Sequence, residues 1–448
     1  MLRNPLSYRQ TGCLIAACGL LAAPSSATYA GDLSADADVN VSYLYNDNPT
    51  QRAQNNTETS LFRFGARATI DYITPMSSWQ ISPRVSRNYY TDRGLSNLEN
   101  TNWYLDGKGK WNPTERQSAG ITMVYSNLGI LTDVLGDQDT DPGEGGNTSR
   151  LRLDDTVQRL TVTPSWNYQL TLKDSIGIRA TAAGTDYALD NTNRADNRSV
   201  GGGIDWFRAW TTRMGAGVGI SVNKFESEKF LPEPLESVGV KQRNNSVGLN
   251  VSFNYRLTDR SAITGNYGLT KTDSENDVAL FDPDTGDFIG LVTNEFTTDN
   301  NVYALNYNRQ GFRHNFKAGV TRFFVPASDG SESIRDTLRF GWSSRWTEKM
   351  SSNLNFTVFQ QQAIFDENAC SDGDPTCEDI QSIVKRKNYL GAINASTTWR
   401  VARPWYVSLV YSFRLTRREP LNSNGNDTLR AKSNQIGVSF NYKWENIY

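Results

Sequence analysis

Histidine is almost missing from this chain: His314 is the only one in 448 residues, alongside four cysteines. A barrel hydrolase built on an activated serine usually needs a histidine beside it. His314 follows a short turn, Arg309 to Arg313, where a place in an interfacial belt is the simpler reading. There is no phosphate loop, no metal-ligand cluster and no glycine-rich nucleotide fingerprint, and Gly201-Gly202-Gly203 reads as a strand kink. The expectation is a protein that is not an enzyme and needs no cofactor. Apolar residues are also scarce, at 38%. A soluble protein of this length would need a larger aliphatic core, and after residue 30 no stretch is long enough for a membrane helix. A net charge of −2 gives no reason to expect a nucleic-acid partner.

What the chain does have is aromatics, 11% of its residues, set at alternate positions. In the last segment Ile436, Val438, Phe440, Tyr442 and Trp444 fall on one side, and Gln435, Gly437, Ser439, Asn441 and Lys443 on the other. Strict alternation means a strand with one oily and one wet face. A barrel with lipid outside and water inside needs apolar residues at only alternate positions, plus aromatic girdles at both interfaces. The expected fold is therefore all-β: one transmembrane, antiparallel, up-and-down β-barrel over residues 31–448. Its place would be the outer membrane of a Gram-negative bacterium, among lipid and lipopolysaccharide. Gln435, Gly437, Phe440 and Tyr442 form a pattern that the barrel-assembly machinery would be expected to read.

Residues 1–30 read as a secretory signal peptide, with Arg3 and Arg9 before an apolar run from Gly12 to Ala23, and a cut after Ala30 or Ala27. Ile15-Ala16-Ala17-Cys18 has the outline of a lipoprotein box, but the apolar run continues through Leu20 and Leu21, which argues against lipidation. Loss of the leader leaves 44 bases against 48 acids. It also removes Cys13 and Cys18. Cys370 and Cys377, which bracket a short turn-rich loop, would most simply form a disulfide. Alternation begins within about ten residues of the cut, which argues against a large N-terminal plug of the kind energised transporters carry.

Segment by segment, the alternation gives about eighteen strands of roughly nine to thirteen residues, with sixteen the nearest alternative. Short links such as Thr74-Pro75-Met76-Ser77 and Leu257-Thr258-Asp259-Arg260 alternate with long polar ones such as 127–155, 226–243, 271–298 and 365–387. Short turns face the periplasm and long loops face outward in bacterial barrels. Several short turns share one grammar, an aromatic, a gap, then Thr and charged residues, in which Thr and Asp cap the turn. Pro83 and Pro164 lie inside strands and cannot donate to a ladder, so each should mark a bulge or a strand end.

The wet face is where function must be sought. It places Arg63, Arg67, Arg84, Lys108, Arg159 and Arg179 inward, followed by Lys317, Arg339, Arg345, Arg414 and Lys443. The inward acids are fewer: Asp71, Asp106 and Asp205. Rings of Arg and Lys in a low-dielectric wall favour anions. The competing reading is that these charges only solvate the lumen and pair with one another. Lys385-Arg386-Lys387 and Arg417-Arg418 at the outer rim could contact lipopolysaccharide phosphates or be a solvated rim. Asp-dense loops such as 282–287 lack the spacing of a calcium loop and read as turns.

The run Tyr45-Asn46-Asp47-Asn48-Pro49 after the first strand, the Thr-Asp-Arg-Ser turns and the C-terminal strand resemble the putative beta-barrel porin 2 family and neighbouring outer-membrane proteins found with exopolysaccharide systems. The resemblance implies a porin-like channel, passive or linked to export, with anionic solutes or an acidic polysaccharide and its export apparatus as partners. It supplies no catalytic or ligand residues. The alternative is a structural, polysaccharide-binding barrel with an occluded lumen.

Overall fold

The computed structural model describes residues 31–49, 58–129, 156–187, 196–230, 239–281, 288–326, 332–363, 387–418 and 429–444. The leader, Cys370 and Cys377, the 282–287 run and Lys385-Arg386 lie outside these residues. The strands are β1 Asp32–Asn46, β2 Thr59–Ile73, β3 Ser77–Tyr90, β4 Thr101–Thr114, β5 Gln117–Gly129 and β6 Thr156–Gln169. They continue as β7 Asp174–Tyr187, β8 Asp196–Ala209, β9 Met214–Phe230, β10 Gly239–Thr258, β11 Ser261–Phe281 and β12 Phe288–Gln310. The series ends with β13 His314–Pro326, β14 Glu332–Arg345, β15 Met350–Ala363, β16 Lys387–Ala402, β17 Trp405–Arg418 and β18 Leu429–Trp444. Each strand pairs antiparallel with its sequence neighbours, and β1 pairs with β18, so one 18-stranded sheet closes on itself. Closure removes every free edge, the condition for a sheet to span lipid.

The side chains sort as the alternation requires. Val41, Phe64, Ile220, Leu249, Leu409 and Phe440 point out and are exposed, a lipid-facing band without a core beneath it. Between them Ser42, Ser86, Asn102, Ser126, Ser412 and Ser439 point in. His314 faces outward at the start of β13, with the Trp342 and Trp346 rings 6.2 and 6.0 Å away, inside an aromatic belt. Among the described residues no helix is long and apolar enough to cross a membrane.

Two expectations fail instructively. Pro83 and Pro164 neither end a strand nor shift its register. Around Pro83 the β2–β3 ladder skips two pairs and resumes unshifted, from Arg67↔Arg84 to Ile70↔Ile81, while Pro83↔Leu105 holds on the other side. Around Pro164 the β6–β7 ladder does the same between Val162↔Ala182 and Ser165↔Arg179, with Ile121↔Pro164 intact. A missing N–H costs one strand neighbour its bonds; the second neighbour keeps the strand in place. The face assignment therefore passes through both prolines. The ladders also run unshifted through Gly201-Gly202-Gly203.

The second failure concerns length. Strands run from 13 to 23 residues, and β9, β10, β11 and β12 reach 17, 20, 21 and 23. Much of the two segments expected as loops, 226–243 and 271–298, is strand that continues past the lipid-facing band. Its outward face carries many charges and is laced by ion pairs: Lys224–Glu226 along β9 at 2.9 Å, and across strands Lys241–Glu228 at 3.5 Å and Arg243–Glu275 at 3.7 Å. The hydrogen bond from Lys224 holds the Glu226 carboxyl below its usual range.

The short turns build a regular periplasmic rim. Thr74, Thr171 and Thr211 each accept, on the hydroxyl oxygen, the backbone N–H groups two and three residues ahead, at 2.9 to 3.3 Å. Thr114, Thr258 and Thr347 accept the one two ahead. This is the side-chain turn the sequence grammar foretold. Each turn is then tied to the next hairpin by a carbonyl: Arg116 accepts from Gln169 N–H, Lys173 from Ala209, Arg213 from Arg256 and Arg260 from Gln310. Arg313 accepts from Arg345, Lys349 from Arg400, and Pro404 from Lys443, which brings the ring to the seam.

Candidate functional site: the inner wall and its seam

Register settles where the predicted basic residues lie. Arg63 and Arg67 on β2, Arg84 on β3 and Lys108 on β4 are inward, as are Arg159 on β6 and Arg179 on β7. Lys317, Arg339, Arg345, Arg414 and Lys443 follow on β13, β14, β17 and β18. The fold brings Arg63, Arg67 and Arg84 to one niche of about 280 Å³, shared with Asp38, Asn40, Asn355 and Asn394. Others it keeps apart on the wall.

Their environments differ. Arg63 donates to Asn88 Oδ1 at 2.9 Å, and the Arg84 guanidinium sits 3.8 Å from the Tyr104 ring centroid. Arg179 pairs with Asp205 at 3.1 Å, as the solvating reading of the lumen requires. Lys443 stands 3.9 Å from Asp36. Arg67, Lys108 and Lys317 are exposed and make no ion pair among the described residues.

Sequence reasoning missed inward residues of both signs. Lys110, Arg256, Arg335 and Arg400 are inward and add to the basic set. Asp36 and Asp38 on β1 are inward acids, opposite Thr69 and Arg67. The signal for both was available: the alternation that puts Val39 and Val41 outward, carried two residues further, turns Asp38 and Asp36 inward. By contrast, the middle of β8 to β11 presents Gly203, Gly217, Ser221, Asn250, Ser252 and Asn266, small uncharged residues between the inward Asp205 and Arg256. Phe207 lies flat across Gly215 and Gly217, whose missing Cβ atoms make the room.

Burial divides the wall along the barrel axis. Toward the extracellular end the inward Leu44, Leu61, Val157, Phe225 and Phe359 are buried, and Arg335 is only 1% exposed. A side chain aimed into a wide aqueous pore could not be so hidden, so this half of the wall is covered. Arg335 donates to Gln361 Oε1 at 2.8 Å and stacks 4.6 Å from the Phe359 centroid. Toward the periplasm the inward Lys108, Lys110, Arg256, Asn308 and Lys317 are exposed. The apolar inward patches, Tyr104 with Leu128 and Val157, and Phe359 with Leu390, have no place in a purely polar lumen.

The motif after the first strand is a clamp on the closing seam. The Asp47 carboxylate accepts both the backbone N–H and the side-chain amide of Asn434, each at 2.6 Å. Asn48, fully buried, donates to the Lys432 carbonyl at 2.8 Å, and Ser433 donates to Asn46 Oδ1 at 2.9 Å. Below the clamp Gly437 lies against the Tyr43 carbonyl and the Leu44 side chain, so close that no Cβ fits. Gly437 thus carries a packing reason of its own, beside any role in assembly.

No protein-family model matches the chain, and no curated protein matches it in sequence. Similar solved structures include the ferric-catecholate import receptor Fiu of E. coli K12 in its open form, at 8% identity and TM-score 0.45, covering 94% of this chain and 82% of that one. The copper transporter OprC is similar at 9% identity and TM-score 0.42, over 91% and 80% of the two chains. The outer membrane protein opdK of Pseudomonas aeruginosa is similar at 10% identity and TM-score 0.40, over 92% and 99%. The fold is a transmembrane β-barrel of the outer-membrane type.

Proposed function

We propose that the protein is an outer-membrane channel of a Gram-negative bacterium whose periplasmic vestibule concentrates anions. The observation that carries this reading is the exposure of Arg67, Lys108, Lys110 and Lys317 on the open half of the inner wall, without ion-pair partners among the described residues. Fixed cations in a low-dielectric wall raise the local anion concentration and set selectivity. Small organic anions and acidic polysaccharide both suit such a lining, and the latter agrees with the resemblance to exopolysaccharide-associated porins. Planar-bilayer conductance tests it: a reversal potential showing chloride more permeant than potassium supports the reading, and cation selectivity at neutral pH refutes it.

The covered extracellular half favours a second reading, a barrel closed to free diffusion that binds a surface polymer. A silent bilayer, with polymer binding retained by the purified barrel, would select it. The partners proposed with either reading are the outer-membrane lipids, the barrel-assembly machinery acting through Gln435, Gly437, Phe440 and Tyr442, and a polysaccharide export apparatus.

A further inference from the structure

At the extracellular end the outward charges are of both signs and several are paired, as Lys224, Lys241 and Arg243 are with Glu226, Glu228 and Glu275. Beyond the apolar band at the extracellular end, the outward faces of β11 and β12 carry Asp273, Glu275, Asp277, Glu295 and Asp299. At the periplasmic end every short turn after the first carries an exposed cation, from Arg116 and Lys173 round to Lys349 and Arg403. Glu115, Asp259 and Glu348 share some of these turns, yet none of the turn cations makes an ion pair among the described residues. Asp174 is taken by Arg208 at 3.6 Å.

Most of these cations have an exposed apolar residue close by in the same turn. Leu172, beside Lys173, is 95% exposed, and Phe312, beside Arg313, is 85% exposed with the Arg260 guanidinium 3.8 Å from its ring. Trp210, Trp346 and Trp405 accompany Arg213, Lys349 and Arg403, all exposed. Along the barrel axis the lipid-facing side chains of the strands give way, at the turns, to cations with exposed apolar neighbours. That sequence matches the acyl and phosphate layers of a leaflet.

We propose that the periplasmic rim is a collar for anionic phospholipid of the inner leaflet, with the cations on the headgroup phosphates and the apolar companions among the acyl chains. An acidic periplasmic protein would meet the same cations, but it would have to bury Leu172 and Phe312 in pockets of its own. The continuity of the aromatics with the lipid-facing wall, through the Trp342–Trp346 contact at 5.8 Å, favours lipid. The backbone carbonyls of Arg116, Lys173, Arg213, Arg260, Arg313 and Lys349 hold the turns, and their side chains stay exposed to meet a ligand.

The full chain in nanodiscs tests this, in phosphatidylcholine alone and in phosphatidylcholine mixed with phosphatidylglycerol. The anionic lipid should raise the thermal midpoint by several degrees, and native mass spectrometry should show it retained in excess over its bulk fraction. Changing Lys173, Arg213, Arg260, Arg313 and Lys349 together to Gln should abolish both effects, and single substitutions should weaken them in steps. The lumen pair Lys108→Gln and Lys317→Gln should keep both. Equal midpoints in the two lipids, or a preference that survives the fivefold variant, overturns the collar. So does inorganic phosphate that reproduces the gain in phosphatidylcholine discs, which would mark an ion site. Polyglutamate that binds the rim without any lipid preference overturns it as well, in favour of an acidic protein partner.

Discussion

Arg335 and Lys108 are both basic and both inward, yet one, near the extracellular end of β14, is sealed and the other, in the middle of β4, is bathed in solvent. The pair stands for the two halves of the wall. In the extracellular half, polar groups are structural: Arg335 donates to Gln361 and stacks on Phe359, and Asn46, Asp47 and Asn48 hold the seam. In the periplasmic half the same residue types are left to the solvent, where they cost little to keep charged and are free to meet a solute. Position along the barrel axis, more than residue type, decides whether a charge stabilises the barrel or serves its cargo.

The sharpest way to break this contrast is at the seam. Gly437→Val places a branched side chain where the Tyr43 carbonyl and Leu44 already lie, and a backbone carbonyl cannot step aside without opening the β1–β18 ladder. The expected outcome is failure to form the compact, heat-modifiable species on gels after refolding. A normal compact band would show that the seam tolerates a wider spacing.

Arg335→Ala should come next, at about 3 kcal/mol of unfolding free energy, because it strands the Gln361 carbonyl and leaves a void beside Phe359. Urea unfolding in liposomes measures it. A loss below about 1 kcal/mol would mean that Arg335 is not sealed in the working protein. Asp47→Ala should cost about 2 kcal/mol, the loss of two charge-assisted hydrogen bonds at a partly exposed site. Asn434→Ala in that background should then add only the loss of the exposed Tyr411 hydrogen bond, since its side-chain amide has no Asp47 left to meet. Additive losses would show that Asp47 acts through something other than Asn434.

Much of this architecture is legible in the sequence because lipid and water impose a period of two on every strand. Alternation gave the strand number and the Thr-capped turns. It lapses where both faces meet water, so the upper parts of β9 to β12, with Lys224 and Glu226 where aliphatics would stand, read as loops. It is blind to depth as well: nothing local separates Arg335 from Lys108, because the covering of a wall is a property of the closed barrel. The Asn46-Asp47-Asn48 clamp was visible as a motif but not as a clamp. Its partners, Lys432 to Asn434, lie at the opposite end of the chain and meet it only when the sheet closes.

The smallest effect on stability should carry the largest effect on transport. Lys108 and Lys317 are exposed, lack ion-pair partners among the described residues and touch no buried acceptor, so Lys108→Gln with Lys317→Gln should change the unfolding free energy by less than about 0.5 kcal/mol. Arg335→Gln, equal in charge lost per site, should cost several times more. In the bilayer the ranking should invert. The double lumen variant removes two cations from the open vestibule and should lower the chloride-to-potassium permeability ratio, most clearly at low ionic strength, where a Debye length of about 30 Å at 0.01 M lets the wall act on the whole vestibule. At about 1 M salt the difference should vanish, because charges more than about 3 Å away are screened. A change in selectivity that persisted at high salt would point to altered pore size instead of field.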